Sequence, residues 1–392
     1  MSMHVLKFGG STFTDTEDFF KIAYFLRNRL QTDSKKLVVV VSAMSGLTEQ
    51  MRELALSVNP NISPEAVDSF LPLADTMGAN LLRIALEACG VSVSVLTGYQ
   101  INILTDSHFS RARLRSFSSH AMLDTFVEKD VVIVPGGQAT DIKNRPTWLG
   151  KNSSDLTAII LAVALGLPKC EIYSDVAGIY SADPNLIDNT RLLPSVPFES
   201  VLEMSLSGAK VMHHRAISFA QQHGVDIVCH LNHSDYHIGT SIGKGTPVKA
   251  VIVDQRSVVL SFENEEQALN AMEFLKEDNV PIVIPDANKP HIIVVTCGFF
   301  DVKKFLHQKG VSVNIEPGKL LTKFTEENGI ERFIVPDDKL IEIGQQIHNQ
   351  LYELQEEPEN NSRVNNSEEQ KKRYAKEFFS LYPNKKSIHS ES

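Results

Sequence analysis

The amino-acid sequence predicts an α/β protein: an amino-terminal domain built on an open, largely parallel sheet between helices, followed by a small α+β region. Short runs of β-branched residues alternate with amphipathic helical segments over the first part of the 392-residue chain. Such alternation is typical of a parallel sheet covered by helices on both faces. A composition of 42% hydrophobic and 22% charged residues fits a globular enzyme, and the length favours two domains.

Six strands are predicted in the first part of the chain. The first helix is predicted over residues 14–30, where Thr14 and Glu17 have the spacing of a capping box. Because ligands of open parallel sheets bind beyond the carboxyl ends of the strands, polar motifs at those ends are the candidate functional residues. The predicted strands are HVLKF (4–8), LVVVVS (37–42), VSVSVL (91–96), VVIVP (131–135), EIYS (171–174) and DIVC (226–229).

From residue 248 the pattern changes to a smaller α+β module. Strand, helix, strand, strand, helix and strand succeed one another as in a ferredoxin-like unit, and a closing helix is predicted over residues 338–354. The residues after 354 are too polar to form a core, so a largely disordered tail is predicted, with a possible short helix over residues 368–382. The predicted domains are therefore 1–247, 248–354 and 355–392.

Charge and cysteine content narrow the possible partners. Lys plus Arg is 38 and Asp plus Glu is 48, which gives a net charge of −10 and argues against nucleic-acid and anionic-membrane partners. The four cysteines are scattered, so neither a zinc site nor a disulfide framework is predicted, and no metal-binding residue is nominated. The first residues lack an export signal, and the longest apolar run, residues 159–167, is about half a membrane span. A cytoplasmic protein is expected.

The motif KFGGST lies between the first predicted strand and the first helix. Glycines allow close approach of a ligand to the backbone, exposed amides at a helix start attract anions, and Lys7 adds a positive charge. The motif therefore indicates a phosphate-binding turn, although an ordinary strand-to-helix turn would have similar residues. It differs from the common P-loop, because the lysine precedes the glycines.

Four further motifs follow other predicted strands or helices. Each of them taken alone is equally compatible with a plain turn, a helix cap or a loop. They are SAMSGLT with Ser42 and Thr48, GKNSSDLTA with Ser154 and Asp155, YSDVAGIYSADP with Ser174, Asp175 and Tyr180, and GAKV with Lys210.

In this order the motifs resemble the amino acid kinase family, and within it the aspartate kinases, over roughly the first 245 residues. The resemblance implies transfer of the ATP γ-phosphoryl group to the side-chain carboxylate of L-aspartate, giving 4-phospho-L-aspartate and ADP. That reaction opens the biosynthesis of lysine, threonine and methionine, and it uses ATP and Mg²⁺. The resemblance also implies an ACT-like regulatory region, here shortened and degenerate, and a homodimer formed through it.

The resemblance assigns roles to individual residues. Those implied in catalysis are Lys7, Asp155 and Lys210. Those implied in ATP binding are Lys7, Gly9, Gly10, Ser11, Ser174, Asp175, Tyr180 and Lys210. Those implied in binding the acceptor substrate are Ser42, Thr48, Asp75, Lys151 and Ser154.

Several positions depart from the family pattern. Lys151, Asn152 and Ser153 replace an arginine and two glycines, and a lysine cannot reproduce the planar, two-point contact that the arginine makes with a carboxylate. Asp75 replaces a glutamate, and Asn185 an arginine. Two alternatives therefore stay open: a kinase of the same family for a different amino or carboxylic acid, and a non-catalytic protein that binds nucleotides or amino acids. The acidic segment FENEEQ predicts weak feedback inhibition at most.

Overall fold

The computed structural model describes residues 2–352, with gaps at 33–34, 279, 297–300 and 328. Residues up to Leu351 form one compact unit. The predicted tail and its helix over residues 368–382 lie outside the described residues, as does Cys297. Within the described ranges, no helix combines the length and apolar character needed to cross a membrane.

The central feature is an eight-stranded sheet in the order β10-β12-β11-β9-β1-β2-β6-β3. All neighbouring pairs are parallel except β11 and β12. All six predicted strands are therefore confirmed, and β10 and β12 extend the sheet. The strands are β1 (Met3–Phe8), β2 (Lys36–Val41), β3 (Val93–Val95), β6 (Val131–Pro135), β9 (Lys169–Ser174), β10 (Ser195–Pro197), β11 (Asp226–Leu231) and β12 (Ile238–Gly243).

Helices cover both faces of this sheet. The β2 residues are all buried, and alternate ones contact separate apolar clusters: Val39 packs with α1 and α4, whereas Val38 and Val40 pack with α6 and α8. Burial on both faces explains the unbroken valine run. The helices of this part are α1 (Thr16–Thr32), α2 (Leu47–Val58), α3 (Pro64–Phe70), α4 (Leu73–Ala88), α5 (His120–Thr125), α6 (Ser154–Ala164), α7 (Phe198–Leu206) and α8 (His214–His223).

The predicted capping box at the start of α1 is wrong by one residue. Asp15, not Thr14, accepts hydrogen bonds from the amides of Glu17 and Asp18, and the Asp18 carboxylate accepts in return from the amides of Thr14 and Asp15. Aspartate at both ends of the box performs the roles usually filled by Ser or Thr and by Glu.

A smaller four-stranded sheet, in the order β5-β4-β7-β8, lies among the connections that follow β3 and β6. It contains β4 (Leu104–Thr105), β5 (Leu114–Ser116), β7 (Gln138–Thr140) and β8 (Pro146–Trp148). The buried Asp68 of α3 accepts hydrogen bonds from the amides of Ser110 and Trp148, and so fixes α3 to this region.

The carboxyl-terminal part contains two antiparallel sheets. One has the order β15-β16-β14-β17, which is that of a ferredoxin-like βαββαβ unit, and the other has the order β13-β18-β19. The three-stranded sheet is missing from the sequence prediction. The elements are β13 (Ala250–Asp254), β14 (Val258–Ser261), α9 (Glu265–Glu277), β15 (Ile282–Val283), β16 (Ile292–Val295), α10 (Val302–Gln308), β17 (Asn314–Glu316), β18 (Lys319–Phe324), β19 (Ile330–Val335) and α11 (Leu340–Leu351).

The three-stranded sheet packs on the amino-terminal part. Val251 and Leu321 form an apolar cluster with Ile187 and with Leu340 of α11, and the Ser181 hydroxyl lies 2.8 Å from His348 Nε2. The domain boundary at residue 247 and the ACT-like identity of the module stay predictions.

A buried ion pair fixes α1 to the sheet. The guanidinium of Arg29 donates two hydrogen bonds of 3.0 Å to the Glu171 carboxylate, which also contacts His4 and the hydroxyl of Tyr173. Burial alone would raise the pKa of Glu171, but hydrogen bonds from His4 and Arg29 outweigh it and hold that pKa well below its usual range. Both charges of the pair are largely shielded from solvent.

We expect Arg29→Met to lower the free energy of unfolding by about 3–5 kcal/mol, because it leaves Glu171 buried without its main partner. Urea denaturation followed by circular dichroism measures the loss. Arg83→Met is the matched control: Arg83 pairs with Glu87 on the exposed side of α4, so its loss should cost less than about 1 kcal/mol. Equal effects of the two substitutions would contradict the proposed importance of the buried pair.

Candidate functional site

An ion pair at the carboxyl edge of the main sheet joins two of the predicted catalytic residues. Lys7 is the penultimate residue of β1, and its Nζ lies 2.7 Å from Oδ1 of Asp155, the second residue of α6. Their side chains are only 10% and 13% exposed. The carboxylate therefore holds the ammonium in a fixed position at the edge where α/β proteins bind ligands.

Two glycines follow Lys7 closely in the chain, and the first of them lies against its ammonium. A Cβ at Gly9 would be 3.2 Å from the Lys7 ammonium, and one at Gly10 would be 3.0 Å from the carbonyl oxygen of Ala43. The backbone of the motif thus turns tightly, and Gly10 begins a short 3₁₀ turn that ends at Thr12. Side chains at these positions would crowd the lysine and the neighbouring loop.

Ser42 and Ser154 form the next contact of the site. Their hydroxyl oxygens are 2.8 Å apart, which joins the end of β2 to the first residue of α6. Gly136 lies beneath Ser154, where an added Cβ would come within 2.5 Å of the Ser154 Cβ. The sequence prediction did not include Gly136, although its place just after β6 could have indicated it.

Asp75 lies beside the same strand end. Its Oδ1 accepts a hydrogen bond of 3.0 Å from the amide of Ala43, which follows Ser42. Burial raises the pKa of Asp75 to about 7, although the hydrogen bond from Ala43 and the charge of Lys7 act in the opposite direction. Without a ligand, the carboxyl group therefore changes its protonation state near neutral pH.

Lys151 occupies a loop with unusual backbone geometry. Its Nζ is 3.4 Å from the Glu49 carboxylate, near the start of α2, and the side chain is 57% exposed. Gly150 and Asn152 have positive φ values of 106° and 62°. Asparagine tolerates the left-handed region better than most residues, which explains how the chain accommodates Asn152 in place of a glycine. The hydroxyl of the buried Ser153 donates a 2.5 Å hydrogen bond to the carbonyl oxygen of Gly150 and closes the loop.

The predicted nucleotide residues begin on the opposite side of Lys7. The Ser11 hydroxyl lies 3.3 Å from Asp175 Oδ1, and the Ser174 hydroxyl donates to the carbonyl oxygen of Val176. Asn232, which sequence reasoning missed, connects this side: its amide donates to the carbonyl oxygen of Ser174, and its side chain lies 2.9 Å from the Thr12 hydroxyl. Asn232 directly follows β11, so the rule about strand ends could have identified it.

Four predicted residues are not joined to this network by direct contacts in the described part of the chain: Thr48, Lys151, Tyr180 and Lys210. Thr48 lies in the first turn of α2, next to Glu49. Tyr180 is half-buried and its backbone pairs with that of Leu192. Lys210 is exposed and follows Gly208, whose φ is 101° and whose backbone lies close to the Asp254 carboxylate.

Asn185, which replaces an arginine of the family pattern, makes only local contacts among those described. Asn185 donates hydrogen bonds of 2.9 and 3.0 Å, from its backbone amide and its Nδ2, to the Asp183 carboxylate. The side chain therefore stabilises its own turn. His214 is the first residue of α8, a position at which the backbone amide needs no intrahelical partner.

The described residues include no group of three or more His, Cys, Asp or Glu side chains arranged to hold a metal ion. Mg²⁺ is commonly bound through one or two carboxylates together with the phosphates of a nucleotide. The charged groups near the glycine turn, Asp155 and Asp175, fit that mode better than a dedicated protein cage.

Comparison with known proteins gives the same family as the motifs. The model of the amino acid kinase family matches residues 2–230. The chain belongs to this family. Within it, the aspartokinase of Mycobacterium tuberculosis is 35% identical over 240 residues, which are 60% of this chain and 56% of that protein. The aspartokinase of Thermus thermophilus is 32% identical over 259 residues, 66% of this chain and 62% of the relative. The chain thus matches somewhat more than half the length of these relatives.

Solved structures of the family share the fold. Aspartokinase III of E. coli, solved with aspartate and ADP, superposes with a TM-score of 0.75 at 18% identity and covers 90% of this chain and 100% of that one. The aspartate kinase of Synechocystis gives a TM-score of 0.54 at 25% identity over 82% of this chain and 60% of its own. The predicted α/β class with a largely parallel sheet is confirmed.

The raised pKa of Asp75 predicts how stability responds to pH. An unfolded aspartate ionises near pH 4, whereas folded Asp75 ionises near pH 7, so this group costs the folded state stability as the pH rises between those values. We therefore expect Asp75→Asn to gain stability relative to the unsubstituted protein by a few kcal/mol at most between pH 4.5 and pH 8. Urea denaturation at both pH values measures this change. A difference between the two proteins that does not vary with pH would argue against the raised pKa.

Proposed function

We propose that the protein is an aspartate kinase, which transfers the ATP γ-phosphoryl group to the side-chain carboxylate of L-aspartate and releases ADP. The observation that carries the proposal is the buried Lys7–Asp155 pair, set against the glycine turn at the carboxyl edge of the sheet. The aspartokinase relatives at 32–35% identity support the choice of reaction.

Phosphoryl transfer depends mainly on positioning and on charge stabilisation. We assign to Lys7 the neutralisation of charge that develops on the transferred group, and to Asp155 the orientation of Lys7. The tight turn at Gly9 and Gly10 keeps side chains away from the Lys7 ammonium, and the start of α6 favours negative charge. Because these groups are already fixed, little reorganisation is needed during the reaction.

The remaining nucleotide contacts are assigned by similarity. Ser11, Ser174, Asp175 and Tyr180 would contact ATP, and Lys210 would reach its phosphates as an exposed, flexible side chain. Mg²⁺ would enter with the triphosphate, screening its charge, and the nearby carboxylates of Asp155 or Asp175 are the groups suited to hold it.

The acceptor would lie against Ser42, Thr48, Asp75, Lys151 and Ser154. The amino group of the acid would pair with Asp75, since a bound ammonium favours the ionised carboxylate in a buried place. Its α-carboxylate would contact Lys151. The Lys151 ammonium lies 3.4 Å from the Glu49 carboxylate, so the α-carboxylate of the acid must compete with Glu49.

This competition gives the alternative function its support. A kinase of the same family that acts on a different amino or carboxylic acid would also retain Lys7 and Asp155 while changing the groups around the acceptor. A non-catalytic binding protein is disfavoured, because Lys7, Asp155 and Lys210, the charged residues that the resemblance implies in phosphoryl transfer, are all retained.

The cellular context follows from the proposed reaction. The product is an acyl phosphate, and we place the enzyme in the cytoplasm at the start of lysine, threonine and methionine biosynthesis. The module after residue 247 is proposed to be a degenerate ACT-like region that pairs two subunits.

Lys7→Met should lower kcat by about two to three orders of magnitude, because it removes a positive charge that acts on the transition state. Coupled detection of ADP, with hydroxamate trapping of the acyl phosphate, measures the rate. Lys21→Met is the control: Lys21 is exposed and pairs only locally with Asp18, so its activity should stay close to that of the unsubstituted protein. A Lys7→Met protein retaining more than about a tenth of the original kcat would remove this role from Lys7.

Lys151→Arg combined with Glu49→Gln should lower the KM for aspartate by about three- to tenfold, because a planar guanidinium can grip the α-carboxylate at two points without a competing partner. Glu49→Gln alone separates the two contributions. Should aspartate give no ADP with any of these proteins while another acid does, the alternative acceptor replaces aspartate.

A further inference from the structure

Arg215, the second residue of α8, makes a bridge between two loops. Its Nη1 donates a 2.8 Å hydrogen bond to the carbonyl oxygen of Leu149, and its Nη2 donates one of 2.9 Å to the carbonyl oxygen of Ala112. Leu149 directly precedes the loop of residues 150–153, which carries Lys151 and leads into Ser154. Ala112 lies in the connection between β4 and β5. One side chain thus fixes two segments that are distant in sequence.

The backbone of Arg215 is itself held in place. His213 caps α8 by accepting a 3.2 Å hydrogen bond at Nδ1 from the amide of Arg215, and the rings of His213 and His214 stack with centroids 4.6 Å apart. Burial, together with the neighbouring His214 and arginines, lowers the pKa of His213 to about 3. Burial and the charge of Arg215 lower the pKa of His214 to about 4. Neutral His213 can therefore serve as an acceptor throughout the physiological pH range.

The loop of residues 150–153 needs external support. Two of its residues, Gly150 and Asn152, have left-handed backbone conformations, which local preferences do not impose on an asparagine. Inside the loop, the Ser153 hydroxyl bonds to the carbonyl oxygen of Gly150. At the start of the loop, the amide of Leu149 donates a hydrogen bond to the carbonyl oxygen of Gly137. The carbonyl oxygen of Leu149 accepts one from Arg215. Arg215 is thus the charged group that anchors the entrance to the loop.

The segment around Ala112 contacts the carboxyl-terminal end of α9. Arg111 and Arg113, on either side of Ala112, donate hydrogen bonds to the carbonyl oxygens of Asp278 and Glu277, and His108 Nε2 lies 3.3 Å from the Asp278 carboxylate. These carbonyl groups are at the end of α9, where the helix leaves acceptors unpaired and its dipole attracts cations. The end of α9 is therefore connected through Ala112 and Arg215 to Leu149.

We infer that Arg215 is a positioning residue for the acceptor loop, residues 150–153, and that it couples this loop to the end of α9. The inference rests on the proposed function, because it is there that Lys151 is assigned to binding of the acceptor acid. Arg215 contacts backbone on the acceptor side, away from the glycine turn. Its loss should therefore weaken binding of the acid more than binding of ATP. A lysine cannot replace it, because a single ammonium lacks the planar fork that reaches two carbonyl oxygens at once.

The test compares full-length Arg215→Lys and Arg215→Met with Arg83→Lys, which changes an exposed arginine of α4. We expect both Arg215 variants to raise the KM for the acid about tenfold or more while changing the KM for ATP less than about twofold. Backbone hydrogen exchange should become faster in residues 107–113 and 149–154, and the control should match the unsubstituted protein in every measurement. Rescue by lysine, or equal increases in both KM values, would overturn the positioning role.

Hydrogen exchange also separates this inference from the proposed function. If the unsubstituted protein releases no ADP with aspartate, the proposed function is overturned. Hydrogen exchange in residues 149–154 of the Arg215 variants still decides the role of Arg215, because unchanged exchange there overturns it.

The coupling is tested with Arg111→Met combined with Arg113→Met. Faster exchange in residues 149–154 as well as in 107–113 supports the connection, and a change confined to 107–113 overturns it.

Discussion

The parallel pairing of β1 with β2 on one side and β9 on the other determines where the candidate site forms. It aligns Lys7 with Val40 and Ile172, so the carboxyl ends of three strands reach the same edge. The Lys7 ammonium then lies 2.7 Å from a carboxylate oxygen of Asp155, at the start of α6. A buried lysine would otherwise be costly, because its charge loses hydration. The sheet register and the ion pair therefore support each other.

The same edge accounts for the spacing of the glycines. Gly9, Gly10 and Gly136 lie where the connections after β1 and β6 pass close to other backbone or to Ser154. Any side chain there would push apart the segments that the ion pair draws together. The chain thus uses small residues beside its buried charge and large aromatic residues on the other face of β1, where Phe8 stacks on Tyr173 with ring centroids 4.7 Å apart.

Local sequence patterns predicted most of the strands and the residues at their ends. The valine run of β2 is a strong signal, because burial on both faces of a sheet demands β-branched residues. The turn at Lys7 indicates a site only when it is taken in order with the other motifs. The contacts of Arg215 and Asp75 could not be predicted from spacing, since each joins segments that only the folded chain brings together. Asp75 was assigned through resemblance alone.

The missed three-stranded sheet has a similar cause. Residues of β19 such as Phe333 and Ile334 are part-exposed, and glutamate and arginine interrupt the apolar pattern, so this strand lacks a clear alternation. Its pairing with β18, and that of β18 with β13, are settled by tertiary contacts. The predicted cap of α1 differs from the observed one by a single residue. Asp15 and Thr14 are both good capping residues, and only the three-dimensional contacts distinguish them.

The packing of α11 on the segment around Ile187 has a consequence for biosynthesis of the chain. The Ile187 side chain emerges from the ribosome long before Leu340, its partner in the same apolar cluster. At about 5–20 residues per second, the interval is roughly eight to thirty seconds. During that time this apolar face of the nascent amino-terminal part lacks its cover. We expect this face to be accessible to other proteins until α11 has been translated.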